Sequence, residues 1–397
     1  MSTRTLTGIL EWPQRAEGRV RQIDDAAVIL DNANDPFVPL AFADTLPLRD
    51  GLEVTVQVGE KLPRRRRGKG PRKPRAVVES FVAIEGLEPE RFAGVPRFED
   101  LTSIDPGPRL TLEHPGCGDD CRLIDLFCPI GRGQRGLIVS PPKAGKTTLL
   151  KNITGAILRN HEDVHVMLLL IDERPEEVTD FKRSFAVTRP DAEWPHPWSP
   201  ERVRILASSN DHDTDRHVTI AQHTMERAKR MVEAGRHVVV MLDSLTRLGR
   251  AFNRSRRHAS SGRTLSGGID SRALEIPRQI FGAARNTEEG GSLTMIATCL
   301  VDTGSQGDQV IFEEFKGSGN MELILDRKVA EQRLFPAINL AASGTRKEER
   351  LMGEQEYKTI SALRRRMLQM PAPQQVEQLL AAMKRFETNA RLVGSAG

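Results

Sequence analysis

"RGLIVSPPKAGKTTLLKNI", residues 135–153, is the stretch whose reading decides the fold. "GLIVS" is a short apolar run suited to a buried strand, and "TTLLKNI" starts an apolar helix. Between them stand Gly145, Lys146 and the hydroxyls of Thr147 and Thr148. The pattern G-x-x-x-x-G-K-[ST] is met except that Ser140 takes the first glycine position. The mechanism survives that change. Backbone N–H groups of such a turn wrap phosphate oxygens, and the following helix points its positive end at them. Lys146 then reaches the β- and γ-phosphates, and the Thr147 hydroxyl holds Mg²⁺. The bland reading is a Gly-Lys turn ahead of a core helix. The strand before it and the helix after it favour a nucleoside triphosphate site.

Outward from this point, "VHVMLLLI", "HVVVML" and "LTMIATCL" are continuous apolar runs suited to parallel strands covered on both faces. Residues 218–232 place Val218, Ala221, Met225, Ala228 and Val232 on one helical stripe. The expectation over 120–350 is an α/β fold, a doubly wound P-loop domain with a parallel sheet. The second strand ends in "LLLIDERPEE", so Asp172, Glu173 and Arg174 emerge at the ligand-binding edge of such a sheet. A carboxylate there can polarise a water for attack on the γ-phosphate. The third ends in "VVVMLDSLTR", which makes Asp243 an acid that holds Mg²⁺ mainly through water. An acidic loop and a helix cap are the ordinary alternatives. Together the three signals predict an ATPase.

The chain has 397 residues and a net charge of +4 that is unevenly spread. No apolar run approaches the roughly 18–20 residues of a membrane span, and "MSTRTLTGILEWPQ" has no apolar core of signal-peptide length, which argues against export. Four cysteines are no disulfide framework. Cys117 and Cys121, in "CGDDC", are either reduced cytosolic thiols or half of a metal site. Residues 1–85 read as a small β module from "TGILEW", "AAVILD", "LEVTVQV" and "AVVESFVAI". An oligonucleotide-binding (OB, cold-shock-like) barrel and an SH3-like barrel both fit. Residues 61–75, "KLPRRRRGKGPRKPR", carry nine basic residues and no acidic one. They read as a flexible basic loop, either attracting phosphates or merely solubilising. Residues 86–119 read as a linker, irregular and Pro-rich to 110, and 351–397 as a helical tail broken once at "MPAPQQ".

The strings "LIDLFCPIGRGQRGLIVSPPKAGKTTLLKNI", "LLLIDERPEEVTD", "LDSLTRLGRAFN", "LSGGID", "IFGAARNTEEGGSLTMIAT", "DTGS", "EEFKGSGNMEL" and "FPAINLAASGTRKEE" together resemble the bacterial transcription termination factor Rho family. The resemblance runs over roughly 120–350 and, more loosely, the N-terminal barrel. It implies a homohexameric ring of RecA-like domains in the cytoplasm, with no membrane contact, hydrolysing ATP with Mg²⁺ while pulling single-stranded RNA through the central hole. RNA polymerase and elongation factors are the further partners it suggests. By its motifs Lys143, Ala144, Gly145, Lys146, Thr147 and Thr148 hold ATP with Asp243, and Thr147 and Asp243 hold the metal. Glu173 is the catalytic base, Arg174 a valve-like arginine beside it, and Arg346 an arginine finger for the neighbouring subunit. Phe335 lies against adenine. The inner-pore RNA loops are Arg263, Thr264, Leu265, Ser266, Gly267 and Gly268, and Thr303, Gly304 and Ser305.

Three departures stand out. Gln306 occupies a position where the family usually has a lysine, which removes a phosphate contact per subunit. In "AEGRVR", Glu17 and Arg19 stand where stacking phenylalanines are usual, while Phe37 keeps one aromatic; Arg19 and Phe37 are the barrel's RNA candidates. Residues 184–212 are longer than the family pattern and carry "WPHPWSP", as a structural patch or a docking surface. A rotary or secretion ATPase shares the core, but "LSGGID", "DTGS" and "GTRKEE" belong to an RNA-threading pore. Two readings therefore remain: an RNA-stimulated terminating translocase, and a Rho-like ring without pyrimidine selectivity that regulates.

Overall fold

The computed structural model describes residues 4–13, 15–22, 34–61, 75–185, 202–259 and 261–394. The "AAVILD" run, most of the basic stretch and "WPHPWSP" lie outside these residues. The chain divides into two compact units, residues 1–101 with 222–236 and 289–291, and the remainder.

In the first unit the strands are β1 (Arg4–Glu11), β2 (Gly18–Arg21), β3 (Phe37–Val38), β4 (Glu53–Lys61) and β5 (Arg75–Ile84). They close a barrel in the order β1-β2-β3-β5-β4. β3 runs parallel to β5, and all other pairs are antiparallel. That parallel pair decides for the OB arrangement, since an antiparallel meander has none. Val54, Val56 and Val58 face inward with the period of two that a half-buried strand dictates. Phe92, beyond the last strand, completes the same core, so the irregular stretch after residue 85 helps to fill the barrel.

The second unit is built on a sheet of β6 (Ser103–Ile104), β7 (Arg135–Ser140), β8 (Val164–Glu173), β9 (Val203–Ser209), β10 (His237–Asp243), β11 (Arg285–Thr287), β12 (Ser292–Leu300), β13 (Met321–Ile324) and β14 (Gly344–Thr345). The main path is β14-β13-β7-β12-β10-β8-β9. From β13 to β9 all neighbours are parallel. The expected parallel α/β sheet is therefore present. Two details differ from the sequence expectation. β9 joins the sheet although it was not anticipated, because as the last strand it buries alternate residues and carries Arg204. β12, last of the expected strands in the chain, lies in space between the P-loop strand β7 and the Asp243 strand β10.

The helix Lys146–Asn160 buries Leu149, Leu150, Ile153 and Ile157, each worth roughly 1.5–3 kcal/mol relative to exposure. This packing fixes the direction of its N-terminus. The predicted stripe from Val218 to Val232 is buried throughout. The tail forms helices Glu354–Met367, Ala372–Met383 and Asn389–Val393. It breaks a second time before Asn389, where Thr388 caps the last helix by accepting from Arg391 N at 3.3 Å. Among the described residues no helix is long and apolar enough to cross a membrane.

Candidate functional site

The loop after β7 turns through Lys143 (φ 66°) and Gly145 (φ 88°), both left-handed, before the helix starts at Lys146. Gly145 takes that conformation without penalty, whereas Lys143 is held in it by the turn. Lys146 Nζ lies 2.5 Å from Asp243 Oδ1 and 3.8 Å from Glu173 Oε2. One ammonium thus sits between two buried carboxylates contributed by β10 and β8. Thr298, on the interposed β12, donates its hydroxyl to Asp243 Oδ1 at 2.8 Å. Arg247 donates to Glu173 Oε1 at 2.9 Å and also to the Asp172 carbonyl.

Glu173 is placed by an irregularity in its own strand. The β8–β9 register shifts between Ile171 and Glu173, and Asp172 has φ 54°. A bulge of this kind re-aims the strand end, and here Glu173 finishes 1% exposed. His217 stands beside the bulge, its Nδ1 2.7 Å from Ser208 Oγ and its Nε2 3.9 Å from Asp172 Oδ1. Burial, and after it the charge of Asp243, push the Glu173 carboxyl up to about 7. Glu173 Oε2 and Asp243 Oδ2 are buried acceptors without a hydrogen-bond partner among the described residues. Buried acceptors are ordinarily satisfied, so this pair has capacity for a further cation or a water. That donor set, with the Thr147 hydroxyl nearby in the chain, fits a hard divalent ion.

A cleft of about 440 Å³ opens beside the loop, lined among others by Lys143, Ala144, Gly145, Thr148 and Phe335. Phe335 is 44% exposed, and a Cβ placed on Gly145 would lie 3.6 Å from its ring, so the aromatic forms a wall of the cleft. Arg174 and Arg346 are exposed and do not line it; Arg346 donates to the Gly317 carbonyl at 3.2 Å.

The two loop segments expected to meet RNA lie against each other. A Cβ on Gly267 would come within 2.5 Å of Gly307 N, so glycine alone permits the approach. Arg263 through Gly268 and Thr303 through Ser305 are all exposed. Asp308 anchors the second segment, accepting from Thr303 Oγ1 at 2.6 Å and from Arg250 Nε at 2.7 Å. Arg250 lies on the same helix, Leu245–Arg254, as Arg247.

In the barrel, Arg19 and Phe37 face each other across β2 and β3, with the guanidinium 4.7 Å from the ring centroid. Arg75 lies over the same ring at 4.6 Å and donates to both Glu17 oxygens at 2.8 and 2.9 Å. The aromatic is already engaged by two cations, one of them neutralised.

Sequence reasoning passed over Arg247, Arg250 and Thr298. Arg247 stands in the first turn of the helix that follows Asp243, and Thr298 is a hydroxyl near the end of a mostly apolar strand; both were legible signals. In the sequence the paired acids of "CGDDC" stand out only as the spacing between two cysteines. Cys121 is in fact buried, its Sγ 3.7 Å from the Asn152 carbonyl, and among the described residues no group of three or more metal-type ligands occurs.

Comparison with known proteins agrees with the fold. Residues 120–345 match the ATP synthase alpha/beta family, nucleotide-binding domain. The chain is similar to transcription termination factor Rho of Streptomyces lividans, 46% identical over 92% of this chain and 48% of that one. It is 53% identical to Rho of Borreliella burgdorferi over 74% of this chain and 53% of the relative. With Rho of Akkermansia muciniphila it shares 45% identity over 85% of this chain and 68% of the relative. The chain thus spans about half the length of several of these relatives. A solved ATPase from the type III secretion system of pathogenic bacteria shares the fold, with a TM-score of 0.56 and 24% identity over 68% of this chain and 71% of that one.

Proposed function

Because the chain belongs to the transcription termination factor Rho family, we propose that it is an ATP-hydrolysing, RNA-stimulated ring motor acting in transcription termination. The observation that carries this reading is the buried set Lys146, Glu173 and Asp243, with two carboxylate oxygens left without a hydrogen-bond partner among the described residues.

Glu173 takes the proton from an attacking water. The water oxygen bonds to the γ-phosphorus, the bond from that phosphorus to the bridging oxygen breaks, and ADP leaves. A carboxyl held near 7 is matched to accepting that proton at neutral pH. Arg247 orients Glu173 through one guanidinium nitrogen while its other nitrogen ties down the Asp172 carbonyl. Lys146 moves from Asp243 to the phosphates when nucleotide is bound. Thr147 and Asp243 would hold Mg²⁺, the latter mainly through water, and the ion supplies charge neutralisation. Lys143, Ala144, Gly145 and Thr148 cradle the phosphates, and Phe335 stacks on the base. Arg346, exposed and outside the lining of its own cleft, serves the neighbouring subunit of a homohexamer, and Arg174 gates that interface. A finger supplied in trans makes hydrolysis depend on ring geometry.

RNA contact falls to Arg263–Gly268 and Thr303–Ser305. One helix carries both Arg247, at the catalytic base, and Arg250, at the Asp308 anchor of the second loop. Movement of that helix would link hydrolysis to RNA grip. The setting is the cytoplasm, with RNA polymerase and its elongation factors as partners.

A second reading is favoured by the barrel and by Gln306. With Phe37 covered by Arg19 and Arg75, the ring binds nucleic acid without choosing pyrimidines and acts in regulation. ATP turnover measured with and without poly-cytidine, poly-uridine and poly-adenosine separates these. Stimulation by pyrimidine RNA alone supports selective loading, equal stimulation supports the second reading, and no response to any RNA sinks both.

A further inference from the structure

The bulge that aims Glu173 has an extra residue and a partner strand, and one buried imidazole stands against both. Ile171 pairs with Ser208 and Glu173 with Ser209 across β8 and β9, which leaves Asp172 as the unpaired residue between them. Asp172 has φ 54°, a left-handed conformation that a residue other than glycine keeps only where its surroundings hold it. Two of the holds act on the backbone. Arg247 donates to the Asp172 carbonyl, and Asn210 N donates to the Glu173 carbonyl at 3.0 Å. The third acts on the Asp172 side chain, and it comes from His217.

His217 lies in the first turn of the helix Thr214–Glu233 and is 5% exposed, beside a fully buried Ser208. Its Nδ1 stands 2.7 Å from Ser208 Oγ, and its Nε2 stands 3.9 Å from Asp172 Oδ1. A hydroxyl can donate or accept, whereas an ionised carboxylate only accepts. Ser208 therefore gives its proton to Nδ1, and the ring keeps its own on Nε2, facing Asp172. Burial pushes the imidazole below its ordinary range, with Asp172 opposing, so the ring is neutral near pH 7. No other side chain pairs with the Asp172 carboxylate among the described residues. The series Ser208, His217, Asp172 is no hydrolytic triad, because a serine buried within a strand has nothing to attack.

We infer that His217 is a positioning residue for hydrolysis, tying the extra residue of the bulge to the opposite strand and so fixing where the Glu173 carboxylate points. The inference rests on the hydrolysis reading given above. The imidazole touches no reacting atom and acts through Asp172. A catalytic group displaced by about 1 Å can lose about a hundredfold in rate, and the loss falls on the chemical step rather than on nucleotide affinity.

The test uses two amides that each copy one end of the ring. His217→Gln places its amide nitrogen near the former Nε2, facing Asp172, and His217→Asn places its amide near the former Nδ1, facing Ser208. Steady-state ATP turnover of the full chain is measured with mixed-sequence single-stranded RNA, beside equilibrium binding of ADP. His217→Asn should lower kcat about tenfold, with the KM for ATP and the ADP affinity unchanged to within about twofold. His217→Gln should keep about half or more of the wild-type kcat. Asp172→Gly takes the positive φ without help, so adding His217→Asn to it should cost about twofold or less. Equal losses in His217→Asn and His217→Gln would overturn the inference while leaving hydrolysis standing. So would a change in KM alone, an unchanged kcat in His217→Asn, or a full His217→Asn loss in the Asp172→Gly background. A wild-type chain that binds ADP yet turns over no ATP would overturn the hydrolysis reading and the inference with it. If His217→Asn does not fold, Ser208→Ala replaces it. That variant removes the proton that fixes the ring and should lower kcat at unchanged ADP affinity; a wild-type rate there overturns the inference.

Discussion

Replacing Glu173 by glutamine should stabilise the nucleotide-free protein at alkaline pH while abolishing turnover. The Glu173 carboxyl is raised from 4.5 to about 7, by burial first and by Asp243 second, and the attractions of Lys146 and Arg247 only partly offset this. The folded state therefore keeps this proton longer than the unfolded chain does. The contribution to stability is complete below pH 4.5 and is lost as pH rises through about 7. Such a rise corresponds to a contribution on the order of 3 kcal/mol. Glutamine keeps the shape and an acceptor for Arg247 without the charge. The variant should lead by under about 1 kcal/mol near pH 5 and by about 3 kcal/mol at pH 8.5. Urea unfolding of both proteins at half-unit steps from pH 5 to 8.5, with chelator and no nucleotide, measures this difference directly. Profiles that stay parallel to within about 0.5 kcal/mol, below the smallest effect expected of a buried charge, would refute the reasoning. Such a gain in stability at the expense of activity is what a functional carboxylate held in an unfavourable place predicts.

Arg346→Ala should assemble and bind nucleotide yet lose most hydrolysis, and mixing it with Glu173→Gln protein should restore part of the rate. Absence of recovery despite demonstrated subunit exchange would count against a role in trans. In the barrel, RNA affinity should fall steeply with salt, by about −0.7 in log K per log salt for each phosphate neutralised, and should differ little between cytidine-rich and adenine-rich strands. Arg75→Ala should leave Phe37 covered by Arg19 alone and raise the preference for cytidine-rich RNA. A strong cytidine preference already present in the wild-type protein would show that the ring is not covered in solution.

Much of this protein is local in origin, and the sequence by itself determined it. Gly145 must adopt a positive φ where a strand meets a helix, and only glycine does so freely, so the loop is visible as a string. The continuous apolar runs of β8, β10 and β12 announce a parallel sheet, because strands buried on both faces have no polar side to show. Glu173 and Asp243 were legible for the same reason, Asp243 being the first charge after such a run and Glu173 the second, behind Asp172. The tertiary structure alone decided how these pieces meet. Strand order is set by crossovers tens of residues long, so nothing local says that β12 lies between β7 and β10, or that Thr298 touches Asp243. The charge state of Glu173 depends on Asp243, seventy residues away in the chain and within reach of the same lysine. Asp120 looked like a residue between two cysteines until the fold brought it to Asn152 and the cleft. Phe37 read as an open aromatic, yet Arg75 arrives from β5 to cover it. Propensity and turn chemistry act over a few residues, whereas burial and electrostatics act across whatever the fold makes neighbours, and these alone give each charge its partner.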